Sequence, residues 1–232
     1  MKYSIIVPCY NEEKNISLNL KRYAEFIKRD DIEIIFVNNG SKDNSEKIFN
    51  ELISQYSFAK VVTIKENKGY GFGILTGLAK AKGHFLGWTH ADIQTDPGDI
   101  IHAINILEKS ENPQQSYIKG FRTNRLLKDK LFTLGMSLIE TTLFLKNLSE
   151  INAQPNLFPR SFYESWVNPP YDFSLDLYAF IMAKNKKLKI YRFNVLFPER
   201  IYGKSSWNSG IGAKIKNILK TLNYSFKLRL KV

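Results

Sequence analysis

Cysteine is almost absent from this sequence of 232 residues, in which Cys9 is the only one. A disulfide within the chain is therefore impossible, which excludes a disulfide-stapled scaffold and favours a reducing compartment. Long apolar runs are missing too: residues 131–148 are interrupted by Glu140 and Lys146, whereas a membrane span needs roughly 18 apolar residues. The first apolar run reaches charged residues too soon for a signal peptide. We expect a cytoplasmic protein.

Several common nucleotide and hydrolase motifs are lacking as well. The stretch GYGFG at residues 69–73 has no third glycine at the dinucleotide-fingerprint spacing and follows the third predicted strand, not the first. The sequence has no P-loop motif and no nucleophile elbow of the kind found in hydrolases. These absences disfavour a Rossmann dehydrogenase, a P-loop hydrolase and a serine hydrolase. The glycines of GYGFG then serve either close helix packing or ligand contact.

Acidic residues are fewer than basic ones. The chain has 34 lysines and arginines and 22 aspartates and glutamates, which gives a formal net charge of +12. Such a protein is attracted to nucleic acid, anionic lipid or phosphorylated ligands. The basic residues are dispersed and no recognition motif is present, so we expect no nucleic-acid partner. Residues 211–232 combine lysines with apolar residues at helical spacing. They predict a basic amphipathic tail that either contacts an anionic membrane peripherally or is an ordinary solvated helix.

Apolar strands alternate with helical segments along the first half of the chain. The runs YSIIVPCY, IEIIFVNN, AKVVTIKE, HFLGWT and SYIKGFR are typical of strands that are buried on both faces. Such strands, separated by helices, form a mostly parallel central sheet with helices on both faces. We therefore predict an α/β fold and, because no linker or repeat interrupts the chain, a single domain over residues 1–232. Ligands of these folds bind where the strands end.

A set of short motifs occurs in the order found in one enzyme family. The motifs are IIVPCYNEEKNI, IIFVNNGSKDNS, NKGYGFGILTGLAKAKG, THADIQTDP, GFR, DFSLDL and RIYGKSS. Together they resemble the family 2 glycosyltransferases of the GT-A fold, above all the polyprenyl-phosphate sugar transferase and bacterial surface-polysaccharide branches. The resemblance implies inverting transfer of a sugar from a nucleoside-diphosphate sugar to a polyprenyl-phosphate or glycan acceptor. It divides the chain into a nucleotide-sugar-binding half (1–122), an acceptor and catalytic half (123–210) and the basic tail (211–232).

The donor-binding residues that the resemblance implies lie at or just after predicted strand ends. They are Pro8, Tyr10, Glu12, Asn38, Asn39, Lys68, His90, Ala91, Asp92 and Arg122. The first three would frame the base and ribose, and the two asparagines would meet the base where the family usually has acidic residues. The lysine would lie near the nucleotide, and the residues at 91 and 92 would reach the ribose and the metal-bound diphosphate.

The stretch His90-Ala91-Asp92 departs from the family pattern. The family usually has Asp-x-Asp here, with the second aspartate on a metal ion, and this sequence keeps only that second residue, Asp92. One carboxylate is sufficient for Mg²⁺, which takes its remaining ligands from water and substrate phosphates. The resemblance thus implies Mg²⁺ or Mn²⁺ at Asp92. His90 contacts the sugar, ligates Mn²⁺ or only shapes the loop.

Two aspartates of the second half are candidates for a catalytic base. An acceptor hydroxyl needs a base to remove its proton, whereas an acceptor phosphate that is already ionised needs none. By resemblance Asp176 stands at an acidic position of the polyprenyl-phosphate branch. Asp172 lies one helical turn earlier and is either the base or the helix cap.

The same half supplies phosphate-binding and acceptor-side residues. By resemblance Arg200 and Ser205 would bind the diphosphate or an acceptor phosphate. Arginine suits this role because its planar guanidinium can donate hydrogen bonds to two phosphate oxygens. Arg122 is placed similarly, and a surface ion pair is the alternative for both arginines. The stretch INAQPNLFPR resembles an acceptor-side loop, in which Gln154 and Asn156 contact the acceptor or the prolines only form a rigid turn.

A catalytically degenerate relative, which binds a nucleotide sugar or a partner protein without turnover, is the alternative function. His90, Asn38 and Asn39 favour it because they replace acidic residues. The retention of Asp92, Asp176 and Arg200 argues against it.

Overall fold

The computed structural model describes residues 1–125, 127–198, 200, 202 and 211–230, so that the predicted phosphate ligand Ser205 lies outside the described residues. The strands are β1 (Tyr3–Cys9), β2 (Ile32–Asn39), β3 (Ala59–Ile64), β4 (Phe85–Trp88), β5 (Ser116–Thr123), β6 (Asn156–Pro159) and β7 (Lys189–Leu196). They form one seven-stranded sheet in the order β3-β2-β1-β4-β6-β5-β7. Both predicted halves of the chain contribute strands to it.

Helices cover both faces of this sheet. They are α1 (Glu13–Phe26), α2 (Ser45–Leu52), α3 (Tyr70–Lys80), α4 (Gly98–Lys109), α5 (Leu127–Phe144), α6 (Arg160–Glu164), α7 (Leu175–Asn185) and α8 (Ile211–Arg229). Alternate side chains of β1 enter different cores: Ile5 packs with α1, α2 and α4, and Ile6 packs with α3, α6 and α7. Strands buried on both faces explain the unbroken apolar runs. The predicted α/β fold is confirmed.

Among the described strands, β6 is the one that runs antiparallel to its neighbours, and the sequence did not reveal it. It pairs antiparallel with β4 on one side and β5 on the other, whereas the remaining strand pairs are parallel. The expectation of a loop or rigid turn here was therefore wrong beyond residue 155. Two glycines allow the close approach: a Cβ on Gly87 would lie 2.2 Å from the Asn156 carbonyl oxygen, and one on Gly120 2.1 Å from that of Gln154.

The predicted helix of the tail is present and is docked on the domain. The hydroxyl of Ser225 donates to the Glu140 carboxylate of α5 (2.7 Å), and Leu228 is buried in the core. Near the middle of α8, the Lys220 ammonium lies 2.9 Å from the Asp172 carboxylate. The helix continues to Arg229, so that the alternating apolar and basic residues FKLR at 226–229 are helical. Within the described ranges, no helix is long and apolar enough to cross a bilayer.

Gly87→Ala should destabilise the fold by about 1–3 kcal/mol, because the new methyl group meets a backbone oxygen that moves only if the β4–β6 pair separates. Urea unfolding measures the change. Gly135→Ala in α5 is the matched control, since no described atom lies within 4 Å of the place its new methyl group would occupy, and alanine is the better helix former. Equal losses in the two variants would contradict the tight β4–β6 contact.

Candidate functional site

Asp92 and Arg200, which are far apart in sequence, meet just beyond the carboxyl end of β4. The Asp92 side chain is 4% exposed, and its Oδ2 lies 2.6 Å from Nη2 of Arg200. Its Oδ1 accepts a hydrogen bond from the Gln94 backbone N–H (3.1 Å), and the Arg200 Nε–H donates to the Gln94 side-chain oxygen (3.1 Å). The predicted metal ligand and the predicted phosphate ligand thus form one partly buried ion pair.

Glu12, at the end of β1, shares this electrostatic environment. Its carboxylate accepts from the Asn15 amide (2.6 Å). Burial raises the pKa of Glu12, the negative charge of Asp92 raises it further, and Arg200 opposes both effects. Ala91 is also buried, and its carbonyl accepts from the Asn19 amide (2.6 Å). The carboxylates of Glu12 and Asp92 therefore lie close together and share the positive charge of Arg200. A further cation would bind well here, because it would offset the repulsion between the two carboxylates.

The remaining donor-side predictions lie along the same edge of the sheet. Pro8 lies at the end of β1 and Tyr10 is exposed beyond it. Asn38 and Asn39 are buried at the end of β2: the first accepts from the Ser41 backbone N–H (3.3 Å). Asn39 donates to the Gly69 carbonyl (2.9 Å), while its side-chain oxygen is buried with no hydrogen-bond partner among the described residues. These contacts give the asparagines a turn-forming role and leave one acceptor for a ligand.

The GYGFG glycines serve close packing of the loop before α3. Gly69 has a φ of 114°, a conformation that favours glycine, and an added Cβ would lie 2.4 Å from the Tyr171 carbonyl oxygen. A Cβ on Gly71 would meet the Pro170 carbonyl at 2.5 Å. The predicted nucleotide contact Lys68 is exposed beside this loop, with its ammonium 5.4 Å from the Phe72 ring centre.

His90 has a buried nitrogen, Nε2, with no hydrogen-bond partner among the described residues. Burial lowers the pKa of the imidazole, against the opposite effect of Asp92, so the ring is neutral near pH 7. The ring lies 6.0 Å from that of Phe197, which covers it. A neutral imidazole nitrogen and a carboxylate suit a divalent cation. Within the described part of the chain, no three metal-ligating side chains converge.

Arg122 has a carboxylate partner that the sequence did not reveal. Its Nε lies 2.6 Å from Glu150, which also binds Arg125 at 3.0 Å, and all three side chains are nearly buried. The Arg122 guanidinium stacks 5.3 Å from the centre of the Phe197 ring. The Arg122–Glu150 pair is therefore not the surface ion pair that was the alternative. It lies at the carboxyl edge of the sheet, which we call the rim, next to the Phe197 ring that covers His90.

Asp176 lies beneath the rim in a buried polar cluster. Its Oδ1 accepts from the Trp88 indole N–H (3.1 Å) and from the Asn156 amide (3.4 Å), and the residue is 2% exposed. The Asn156 amide oxygen in turn accepts from the ammonium of Lys119 (2.9 Å), which also donates to the Ala153 carbonyl (2.8 Å). Burial raises the pKa of Asp176 and lowers that of Lys119, and the opposite charge of each residue counters the shift of the other. Sequence reasoning missed Lys119, although a lysine inside an apolar strand is itself a signal.

The predicted acceptor-side residues Gln154 and Asn156 are 1% and 0% exposed and belong to this cluster. The Gln154 amide donates to the hydroxyl of Tyr70, at the start of α3. Acceptor contact stays a prediction for both residues. Their observed partners join β6 to α3 and β5.

Asp172 lies apart from Asp176, at the surface between α7 and α8. Its Oδ1 accepts from the Ser174 backbone N–H (2.9 Å), so it stabilises the turn that precedes α7, but the predicted cap role was wrong, because Ser174 is the N-cap of this helix. Burial alone would raise the pKa of Asp172, but the Lys220 ammonium and the Ser174 N–H hold it below the usual value. Both predicted bases thus have partners, and the choice between them stays a prediction.

Comparison with known proteins decides the family. The profile of glycosyl transferase family 2 matches residues 4–173. The chain belongs to this family. An uncharacterized glycosyltransferase of Bacillus subtilis is 33% identical over 129 residues, which are 54% of this chain and 38% of that protein. A dolichyl-phosphate beta-glucosyltransferase of Trichomonas vaginalis is 25% identical over 92% of this chain and 68% of its own length.

Two further proteins, one known from its sequence and one from its solved structure, resemble this family 2 chain. A prophage bactoprenol glucosyl transferase homolog of Escherichia coli is 35% identical over 44% of this chain and 33% of its own length. The chain thus spans 38% and 33% of the lengths of two of these relatives. Among solved structures, glucosyl-3-phosphoglycerate synthase of Mycobacterium tuberculosis, in complex with Mn²⁺, UDP and phosphoglyceric acid, superposes with a TM-score of 0.74 at 18% identity. That match covers 97% of this chain and 78% of the other and supports the predicted GT-A fold.

Proposed function

We propose that this protein is an inverting glycosyltransferase that moves a sugar from a nucleoside-diphosphate sugar to an ionised phosphate, with polyprenyl phosphate as the favoured acceptor. The Asp92–Arg200 pair is the observation that carries the proposal. It brings a carboxylate for a divalent cation and a guanidinium for phosphate oxygens to one point at the carboxyl end of the sheet, where ligands of open α/β sheets bind.

The donor site combines Asp92, Arg200 and the buried nitrogen of His90. Asp92 would hold Mg²⁺ or Mn²⁺, and His90 is suited to add a nitrogen ligand for Mn²⁺. When bound, the cation neutralises charge on the departing diphosphate. The mycobacterial enzyme's structures contain UDP with Mn²⁺ or Mg²⁺, which supports the same ligand class here. Arg200 is placed to bind the diphosphate once it releases Asp92.

The acceptor follows from the partners of both predicted bases. Asp176 is enclosed below the site, and Asp172 is paired with Lys220. An ionised phosphate oxygen attacks the anomeric carbon without a base, and the bond to the diphosphate breaks as the new bond forms. Two relatives named for dolichyl phosphate and bactoprenol support a polyprenyl phosphate. A glycan hydroxyl is the alternative acceptor, and it would need one of the two aspartates freed.

Exposed apolar side chains on α8 fit an acceptor that resides in a membrane. Leu219, Phe226 and Leu230 are 61%, 59% and 88% exposed and lie on one helical face, because they are spaced by seven and four residues. Lys227 and Arg229 are exposed beside them. A helix with an apolar face and adjacent cations lies in the plane of an anionic bilayer. We propose peripheral docking through this surface, which we call the α8 stripe.

The melting temperature of the protein should rise in the presence of Mn²⁺ or Mg²⁺ when the nucleoside diphosphate that carries the base of the true donor is added. The panel to be tested is UDP, GDP, dTDP and CDP. A ligand at a hundred times its dissociation constant stabilises the native state by about 2.7 kcal/mol. Asp92→Ala should abolish the metal-dependent part of the shift. Asp31→Asn is the matched control, because this carboxylate pairs with Arg29 at the opposite end of β2. A panel without any metal-dependent shift would contradict the proposed donor site.

Turnover separates a transferase from the degenerate relative. The nucleotide identified in the panel, supplied as its sugar conjugate, is incubated with a short-chain polyprenyl phosphate, and release of the nucleoside diphosphate is measured. The proposal requires release that depends on the acceptor. Binding without release would favour the degenerate binder.

Leu219→Ser combined with Phe226→Ser should weaken binding to vesicles that contain phosphatidylglycerol by about tenfold or more, because each buried apolar side chain contributes about 1.5–3 kcal/mol. Vesicle co-sedimentation measures the change. Leu18→Ser on α1 is the control, since this half-exposed leucine lies on the other face of the sheet. Equal binding to neutral phosphatidylcholine vesicles, or an equal loss in the control, would contradict docking through the α8 stripe.

A further inference from the structure

We propose that Lys119 and Asp176 form a buried charge pair, bridged by Asn156, and that this pair positions the β4 loop that carries Asp92. In this role Asp176 is a positioning residue and not the base. The exclusion of a base role rests on the proposed function, whereas the charge pair itself does not.

The geometry of the bridge is specific. Asn156 accepts from Lys119 through its amide oxygen and donates to Asp176 through its amide nitrogen, at 2.9 and 3.4 Å. The hydroxyl of Tyr117 also donates to that amide oxygen (3.0 Å), which fixes the amide orientation. Both charged side chains are at most 2% exposed. Two opposite charges are thus buried at the two ends of one amide group.

The electrostatics require both charges together. A single buried charge is strongly unfavourable, whereas a pair that is fully hydrogen-bonded is tolerated. Burial is the largest influence on each residue, and each partner's charge opposes it. Arg122 and Arg192 add positive charge that disfavours the Lys119 ammonium and makes its anionic partner more important.

The pair connects directly to the donor site through Trp88. The indole N–H of Trp88 donates to Asp176, and Trp88 ends β4, two residues before His90 and four before Asp92. The hydroxyl of Tyr70, at the start of α3, also favours the ionised form of Asp176. Displacement of Asp176 would therefore move the end of β4, where the donor is proposed to bind.

The test compares the wild type with Lys119→Met, Asp176→Asn and the double variant, by melting temperature and by calorimetric binding of UDP with Mn²⁺. We expect each single change to lower the melting temperature by more than about 5 °C, a shift that corresponds to roughly 1–2 kcal/mol in a domain of this size, and to weaken UDP binding at least tenfold. The double variant buries no charge, so it should regain at least half of the lost stability and bind UDP within about threefold of the wild type. Lys60→Met, which breaks the remote pair with Glu33, is the control and should lower stability without changing UDP binding.

Each outcome bears on the pair. Additive losses in the double variant, or failure of the double variant to fold, would overturn the proposal. If a single variant does not fold but the double variant does, the pair is supported. An Asp176→Asn variant that is as stable as the wild type and binds UDP normally, yet loses turnover, would restore Asp176 as the base. A wild-type protein that does not bind UDP would count against UDP as the donor, while the stability coupling would still test the pair.

Discussion

The insertion of β6 between β4 and β5 is the constraint on which the site depends. Because β6 runs antiparallel, it brings the Asn156 side chain between two strands that would otherwise be neighbours. Gly87 and Gly120 permit the approach of its backbone. Without this strand, Lys119 and the carboxyl end of β4 would have no common partner. One buried amide therefore bridges charged residues from the two halves of the chain.

Sequence reasoning located the parallel part of the sheet and the strand ends because long apolar strands leave a clear pattern. The position of Asp92 followed from that pattern and the family motif. β6 has only four residues and is preceded and ended by prolines, so it looks like a turn. Glu150 was missed for another reason: its partner Arg122 is remote in sequence, and nothing local marks a carboxylate that folds back onto the rim.

Electrostatic balance explains how a strongly basic chain keeps a carboxylate site intact. Arg200 pairs with Asp92, and Glu150 pairs with both Arg122 and Arg125, so that these charges have partners within the chain. The proposed donor, with its diphosphate and a cation, would offer each member of the Asp92–Arg200 pair a new partner of opposite charge. Such an exchange would conserve charge pairing in the partly buried site, which would limit the free-energy cost of ligand entry.

The partners of the two aspartates connect the site to the acceptor. Asp172 binds Lys220 of α8, so the helix that carries the exposed apolar stripe is tied to the segment just before α7. Tyr171 of that segment accepts a backbone hydrogen bond from Phe72 (2.9 Å), next to the loop that Asn39 contacts. The helix that we propose to dock on a membrane and the proposed donor site are thus joined by a short chain of contacts. This connection fits the proposed acceptor, a phosphate that enters from a bilayer while its lipid tail stays there, because α8 and the proposed site then keep a fixed relation.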